Sequence, residues 1–183
     1  PTSITMTLIG YSSSTNAMLT SNAKENDVIF ISGSIGESLL ARKYNKYHMP
    51  ENRNELGVIL TEYANSCTDM SDGLLDSLKR ITEKSNLGAI IKINEIKISR
   101  ELNNQIKNGN TSWQDVLSYG DDYELIFTVD QKKSIALKNL CKNIGIEIYE
   151  IGSLAKDKNI NFQYNNKYLN IDVNKKFEHF KKW

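Results

Sequence analysis

The chain has 183 residues, with 23 Lys and Arg against 22 Asp and Glu, and 39% of it is apolar. That is the composition of a globular domain long enough to bury a core without a disulfide or metal staple, and its near-neutral charge gives no reason to expect a nucleic-acid partner. Two cysteines (Cys67, Cys141) and two histidines (His48, His179) exclude a disulfide scaffold and a Cys/His zinc site. No apolar run approaches the ~20 residues a membrane span needs, so a reducing, cytoplasmic compartment is expected, with no membrane partner.

The elements follow in chain order. Ser3 to Ile9 alternates apolar and polar residues, which predicts a half-buried strand. Val28-Ile29-Phe30-Ile31 is a continuous apolar run and predicts a strand covered on both faces. It leads through Ser32-Gly33-Ser34-Ile35-Gly36 into a helical pattern from Glu37 to about Tyr44, and a second helix is expected over Glu55 to Asn65. A third begins after Asp72-Gly73, carries Leu74, Leu75, Leu78 and Ile81 at helical spacing, and stops at Asn86-Leu87-Gly88. Ala89 to Ile93 reads as a strand, Ser99 to Ile106 as a helix capped by Ser99, and Ser112 with Asp115 as a further helix start. Tyr123 to Val129 is a strong strand, Gln131 to Lys142 a helix with Ile135, Leu137 and Leu140, and Ile144 to Ile151 a strand. Asn159 to Tyr164 and Lys167 to Ile171 form a hairpin around Asn165-Asn166, because Asn tolerates the left-handed conformation. Interleaved strands and helices make this an α/β or α+β domain, a mixed sheet covered by helices.

Three stretches could carry chemistry. Asp69-Met70-Ser71-Asp72-Gly73 sets two carboxylates and a hydroxyl at a helix start, where oxygen ligands suit Mg²⁺ and helix amides suit phosphate. The same residues could simply cap the helix. Gly120-Asp121-Asp122-Tyr123-Glu124 packs three carboxylates into four residues at a strand mouth, which calls for a cation or cationic ligand, or else is a solvated acidic turn. Along a strand, Asp122 and Glu124 point one way and Asp121 and Tyr123 the other. Ser32 to Gly36 could offer amides to phosphate but lacks the Gly-Lys-Ser/Thr of a P-loop, so a tight strand-to-helix turn is the plainer reading. His48 has no partner at ligand spacing, and Arg53 belongs on a phosphate or on the surface.

Taken in this order the motifs resemble the C-terminal part of the thiamine-monophosphate kinases, which group with aminoimidazole ribonucleotide synthetase. The matching stretches are Pro1-Thr-Ser-Ile-Thr, Asp27-Val-Ile-Phe-Ile-Ser-Gly33, Thr68-Asp-Met-Ser-Asp-Gly-Leu-Leu75, Tyr119-Gly-Asp-Asp-Tyr-Glu-Leu125 and Phe177-Glu-His-Phe180. The resemblance implies ATP-dependent phosphorylation of thiamine phosphate to thiamine diphosphate with several Mg²⁺ ions. Carried over by motif, it implies Asp69 and Asp72 as metal ligands, Ser71 and Gly73 at ATP, and Asp122 or Glu124 with Phe177 against thiamine. It also implies that residues 1–10 are the last strand of an N-terminal domain, that 11–183 form the C-terminal domain, that the whole protein is a homodimer, and that this part alone is inactive. Thr20 stands where the family usually has an Arg that contacts ATP. A related ATP-using enzyme of the same fold and a non-catalytic ligand-binding module are the alternative functions.

Overall fold

A computed structural model describes residues 3–7, 9 and 18–178. Its seven strands are β1 (Val28–Ser32), β2 (Ala64–Asp69), β3 (Gly88–Lys92), β4 (Leu125–Val129), β5 (Ile148–Ala155), β6 (Ile160–Tyr164) and β7 (Lys167–Leu169). Six helices separate them: α1 (Glu37–Lys43), α2 (Asn54–Tyr63), α3 (Leu74–Ser85), α4 (Arg100–Lys107), α5 (Trp113–Ser118) and α6 (Gln131–Asn143). The strands form one mixed sheet in the order β2-β4-β1-β5-β3-β6-β7, antiparallel except where β3 runs parallel to β6. This is the expected α/β class. Among the described residues no helix is long and apolar enough to cross a membrane.

The continuous apolar run of β1 is explained by its central place in the sheet, since every one of its residues is buried. Val28 and Phe30 face one core with Phe127 and Val129 of β4, Leu56 and Leu60 of α2, and Leu137 and Cys141 of α6. Ile29 and Ile31 face the other, larger core, with Leu74, Leu75, Leu78 and Ile81 of α3 and Val116 and Leu117 of α5. Phe30 and Phe127 are direct cross-strand partners, and their rings stack at 5.6 Å with planes 10° apart. The four apolar positions of α3 are all at most 1% exposed, and each such burial contributes about 1.5–3 kcal/mol. Asn86, left-handed at φ 57°, ends the helix as expected. Asn165 and Asn166, with φ 51° and 60°, make the two-residue turn between β6 and β7.

Several expectations need correcting. Residues 3–7 and 9 lie outside any strand, and Ile4 and Met6 are 92% and 81% exposed. Alternation only makes a strand possible; a ladder partner makes it real. The second helix ends at Tyr63, and Ala64 opens the unexpected β2. That strand has no apolar run to betray it because it is an edge strand held largely by polar pairs. Ser66 Oγ lies 2.9 Å from Thr128 Oγ1 of β4, and Asn65 Nδ2 donates to the buried Asp27 carboxylate. Ile144 belongs to the end of α6, not to β5. Gly145 turns left-handed at φ 76° and Ile146 N donates back to Cys141 O, so the strand begins only at Ile148. In α6 the inward face is Ser134, Leu137 and Cys141, while Ile135 is 67% exposed.

Candidate active site

The two acidic motifs, about fifty residues apart in sequence, are neighbours in space. β2 and β4 pair antiparallel, with Asp69 opposite Leu125. The ladder continues past their ends: Met70 N donates to Glu124 O at 2.8 Å, and Asp121 N to Ser71 O at 2.9 Å. Each motif contributes a glycine where the other's backbone passes. A Cβ on Gly73 would sit 2.8 Å from the Tyr119 carbonyl oxygen, and one on Gly120 would strike the Ser71 carbonyl and the Phe177 ring. Gly120→Ala should therefore separate the motifs and cost about 1–3 kcal/mol as an overpacking change. Chemical denaturation would measure it, and a loss below about 0.5 kcal/mol would show that the crossing has slack.

Asp69 and Asp72 stand at the open side of this crossing. Asp69 is exposed and Asp72 half-buried. Ser71 Oγ donates to Asp72 Oδ2 at 2.9 Å, and the Arg80 guanidinium approaches that oxygen to 3.8 Å while pairing with Asp76 at 2.7 Å. The N-cap of α3 is Gly73, with φ 92° and no side-chain hydrogen bond. Neither Ser71 nor Asp72 caps the helix, so capping does not account for these residues. Cys67, one turn of the strand away, is no nucleophile: burial, then the charge of Asp69, pushes its thiol up to about 12.

The second motif divides its carboxylates as strand alternation predicts, but by another backbone route. The strand starts only at Leu125, and Asp121 and Tyr123 take left-handed φ values of 66° and 53°. Asp122 and Glu124 still turn inward, 5% and 7% exposed. Asp122 binds the start of α1: its Oδ2 accepts from Gly36 N at 2.6 Å, and its Oδ1 from Ser38 N at 3.0 Å and Ser38 Oγ at 2.7 Å. Burial raises its carboxyl above the usual carboxylate range, and those donors pull the other way. The Gly36 amide that could have met a phosphate is thus engaged by Asp122, and Ser32 to Gly36 is a strand-to-helix turn.

Glu124 is held by Arg53, which donates from Nε at 2.6 Å and from Nη2 at 2.5 Å. Ser32 Oγ also donates to Glu124 Oε2 and accepts from Leu125 N. Gly33, at φ 53°, leaves the room this cluster fills, since a Cβ there would strike Glu124 Oε1. Arg53 is therefore neither a surface residue nor exposed to a phosphate. Both carboxylates expected at thiamine have internal partners in this structure. Asp121, half-buried, lines a small hollow with Arg42, Lys46, Tyr47, His48, Tyr119 and Phe177. Phe177 packs on Tyr119, with ring centroids 4.6 Å apart and planes tilted by 57°. The rest of the aromatic tail, His179 to Trp183, lies outside the described residues. Thr20 meets the body of the protein through its carbonyl, which accepts from Ser85 Oγ at 3.2 Å.

Residues 44–165 match the model of the AIR synthase related protein family, C-terminal domain. The chain belongs to that family. Curated relatives narrow the comparison. The thiamine-monophosphate kinase of Buchnera aphidicola subsp. Schizaphis graminum is 34% identical over 98% of this chain and 61% of its own length. The chain thus spans about 60% of the length of the curated relatives it matches. Among solved structures, AaThiL complexed with AMPPCP and TMP shares the fold at 23% identity and TM-score 0.67, covering 89% of this chain and 54% of that one. The hydrogenase maturation protein HypE of E. coli shares it at 12% identity and TM-score 0.73, covering 90% and 53%. The fold is therefore common to both groups.

Proposed function

We propose that this chain is the C-terminal part of a thiamine-monophosphate kinase, which transfers a phosphoryl group from ATP to thiamine phosphate. The observation that carries this is the joining of the two acidic motifs at one crossing, in a chain 34% identical to a kinase of that name. The likeness to a structure holding AMPPCP and TMP also favours it. HypE shares the fold, so a related ATP-using enzyme is the second reading.

Transfer between phosphates needs positioning and charge neutralisation more than a covalent protein intermediate. Asp69 and Asp72 offer the hard oxygen donors that Mg²⁺ prefers, and such an ion supplies charge neutralisation at the transferring phosphates. On this reading these two carboxylates are one share of a metal site that the rest of the protein completes. Ser71 orients Asp72 from one side and faces the nucleotide phosphates with Gly73. Asp122 and Glu124 act on thiamine indirectly, by fixing the turn that carries Asp121 and Tyr123. Phe177 supplies an aromatic wall.

The exposed apolar side chains of Ile4 and Met6 support reading residues 1–10 as a strand of an N-terminal domain that completes the metal site and the homodimer. Two unpaired, largely buried thiols suit a cytoplasmic protein. The test is direct: the complete gene product, free of contaminating kinase, should form thiamine diphosphate from ATP and thiamine phosphate only when Mg²⁺ is present. Failure of that assay, with turnover on another small-molecule acceptor, would favour the second reading.

A further inference from the structure

After β7 the chain from Ile171 to Phe177 runs as a strap along α3 and α5. Ile171, Val173 and Phe177 pack on the larger core. The three residues between Val173 and Phe177 are exposed, and there polar ties hold the strap to the helices. Asp172 folds a turn of its own, its Oδ1 accepting from Asn174 N at 2.9 Å and its carbonyl from Lys175 N at 3.2 Å. Gln114 of α5 fastens that turn at both backbone groups: Nε2 donates to Asp172 O at 3.1 Å, and Oε1 accepts from Asp172 N at 2.7 Å. Lys79 Nζ of α3 donates to Asn174 Oδ1 at 2.7 Å, and Lys175 Nζ lies 2.8 Å from Asp115 Oδ1. Asp115 serves two partners at once. Its Oδ2 accepts from Ser112 N and Oγ in the capping box of α5, which leaves Oδ1 to Lys175. Burial works against the ionised carboxyl, yet Lys175 and Ser112 hold it below the usual carboxylate range, so the pair stands at neutral pH.

The same short helix carries the seat of the strap's last inward side chain. The C-cap of α5 is Tyr119, whose ring packs on Phe177 at 4.6 Å, and a Cβ on the next residue, Gly120, would come within 2.5 Å of the Phe177 ring. Among the described residues, a cavity of about 400 Å³ lies beside this part of the strap, lined by Leu39, Lys43, Asp115, Ser118, Tyr119 and Phe177. A ring that borders such a space is not fixed by close packing on every side, so the fastening at Gln114 and Asp115 decides where it stands. We propose that Gln114 and Lys175 are positioning residues for thiamine phosphate: they set the place of the Phe177 ring, and Phe177 meets the substrate. This rests on the kinase reading above, which puts Phe177 at thiamine.

The test is a double-mutant cycle on the complete gene product. Gln114→Ala combined with Lys175→Met forms one arm, and Phe177→Leu the other. The Lys175 and Asp115 side chains are each 42% exposed, so the unfolding midpoint of the first arm should stay within about 2 °C of the parent. Its KM for thiamine phosphate should rise about fivefold with kcat and the KM for ATP unchanged, the pattern of lost substrate binding. In the Phe177→Leu protein the same pair of substitutions should add less than about twofold, because the ring through which they act is gone. An unchanged KM for thiamine phosphate, an equal rise in KM for ATP as a loosened fold would give, or the full fivefold effect in the Phe177→Leu protein would overturn the proposal and leave the kinase reading standing. Absence of any turnover of thiamine phosphate by the parent protein would overturn the kinase reading and this proposal with it.

Discussion

Replacing Arg53 by Met should destabilise the protein by about 3–5 kcal/mol, because it leaves the Glu124 carboxylate buried without its cation. The side chains of this pair are 15% and 9% exposed, and the contact is two-pronged, from Nε and Nη2. The outer ion pair from Arg53 to Glu51, at 2.8 Å, involves a glutamate that is 76% exposed and should contribute little. The loss should appear as a midpoint lowered by about 10 °C for a chain of this size. Adding Glu124→Gln to Arg53→Met should recover much of it. Gln removes the stranded charge and can still accept from the Ser32 hydroxyl, so the two substitutions should be strongly non-additive. A single-variant loss below about 1 kcal/mol would mean that the pair behaves as an exposed one, and that something else fixes the acidic turn.

Asp72→Asn should show the opposite profile. Its side chain is 39% exposed and its contact with Arg80 is long, at 3.8 Å, so stability should change by no more than about 0.5 kcal/mol. Turnover of the complete protein should nevertheless fall by about 10²- to 10³-fold, the size expected when several kcal/mol of metal-borne charge stabilisation is lost. The Mg²⁺ concentration needed for half-maximal rate should rise as well. Rate measurements across a Mg²⁺ titration, paired with thermal unfolding, separate these effects. Full activity at saturating Mg²⁺ would remove Asp72 from the metal site. The two variants thus divide the acidic residues into those that build the turn and those that face the ligand.

That division shows where sequence stops informing. The spacing of Leu74, Leu75, Leu78 and Ile81, the run of β1 and the Asn165-Asn166 turn all followed from local periodicity and backbone preference, and each is present. β2 was invisible because an edge strand carrying Asn65, Ser66 and Thr68 has no hydrophobic period; its partners Asp27 and Thr128 come from elsewhere in the chain. Residues 3–7 and 9 take no strand here for the converse reason, since their alternating pattern is present and a ladder partner for it is not among the described residues.

At the site, the sequence by itself determined which residue types are present and in what order: two carboxylates and a hydroxyl before a helix, and three carboxylates with a tyrosine before a strand. It also determined the family through those motifs. It could not say that the motifs touch, because their contact is made by β2–β4 pairing and by Gly73 and Gly120, which let two backbones cross. Nor could it say which carboxylates face a ligand. Asp122 is drawn onto the amides of Gly36 and Ser38, and Glu124 onto Arg53, 71 residues away. A buried carboxylate must find donors or a cation, and only the tertiary structure brings those donors within reach. Asp69 is exposed, and Asp72 and Asp121 are half-buried, where Asp122 and Glu124 are almost fully enclosed.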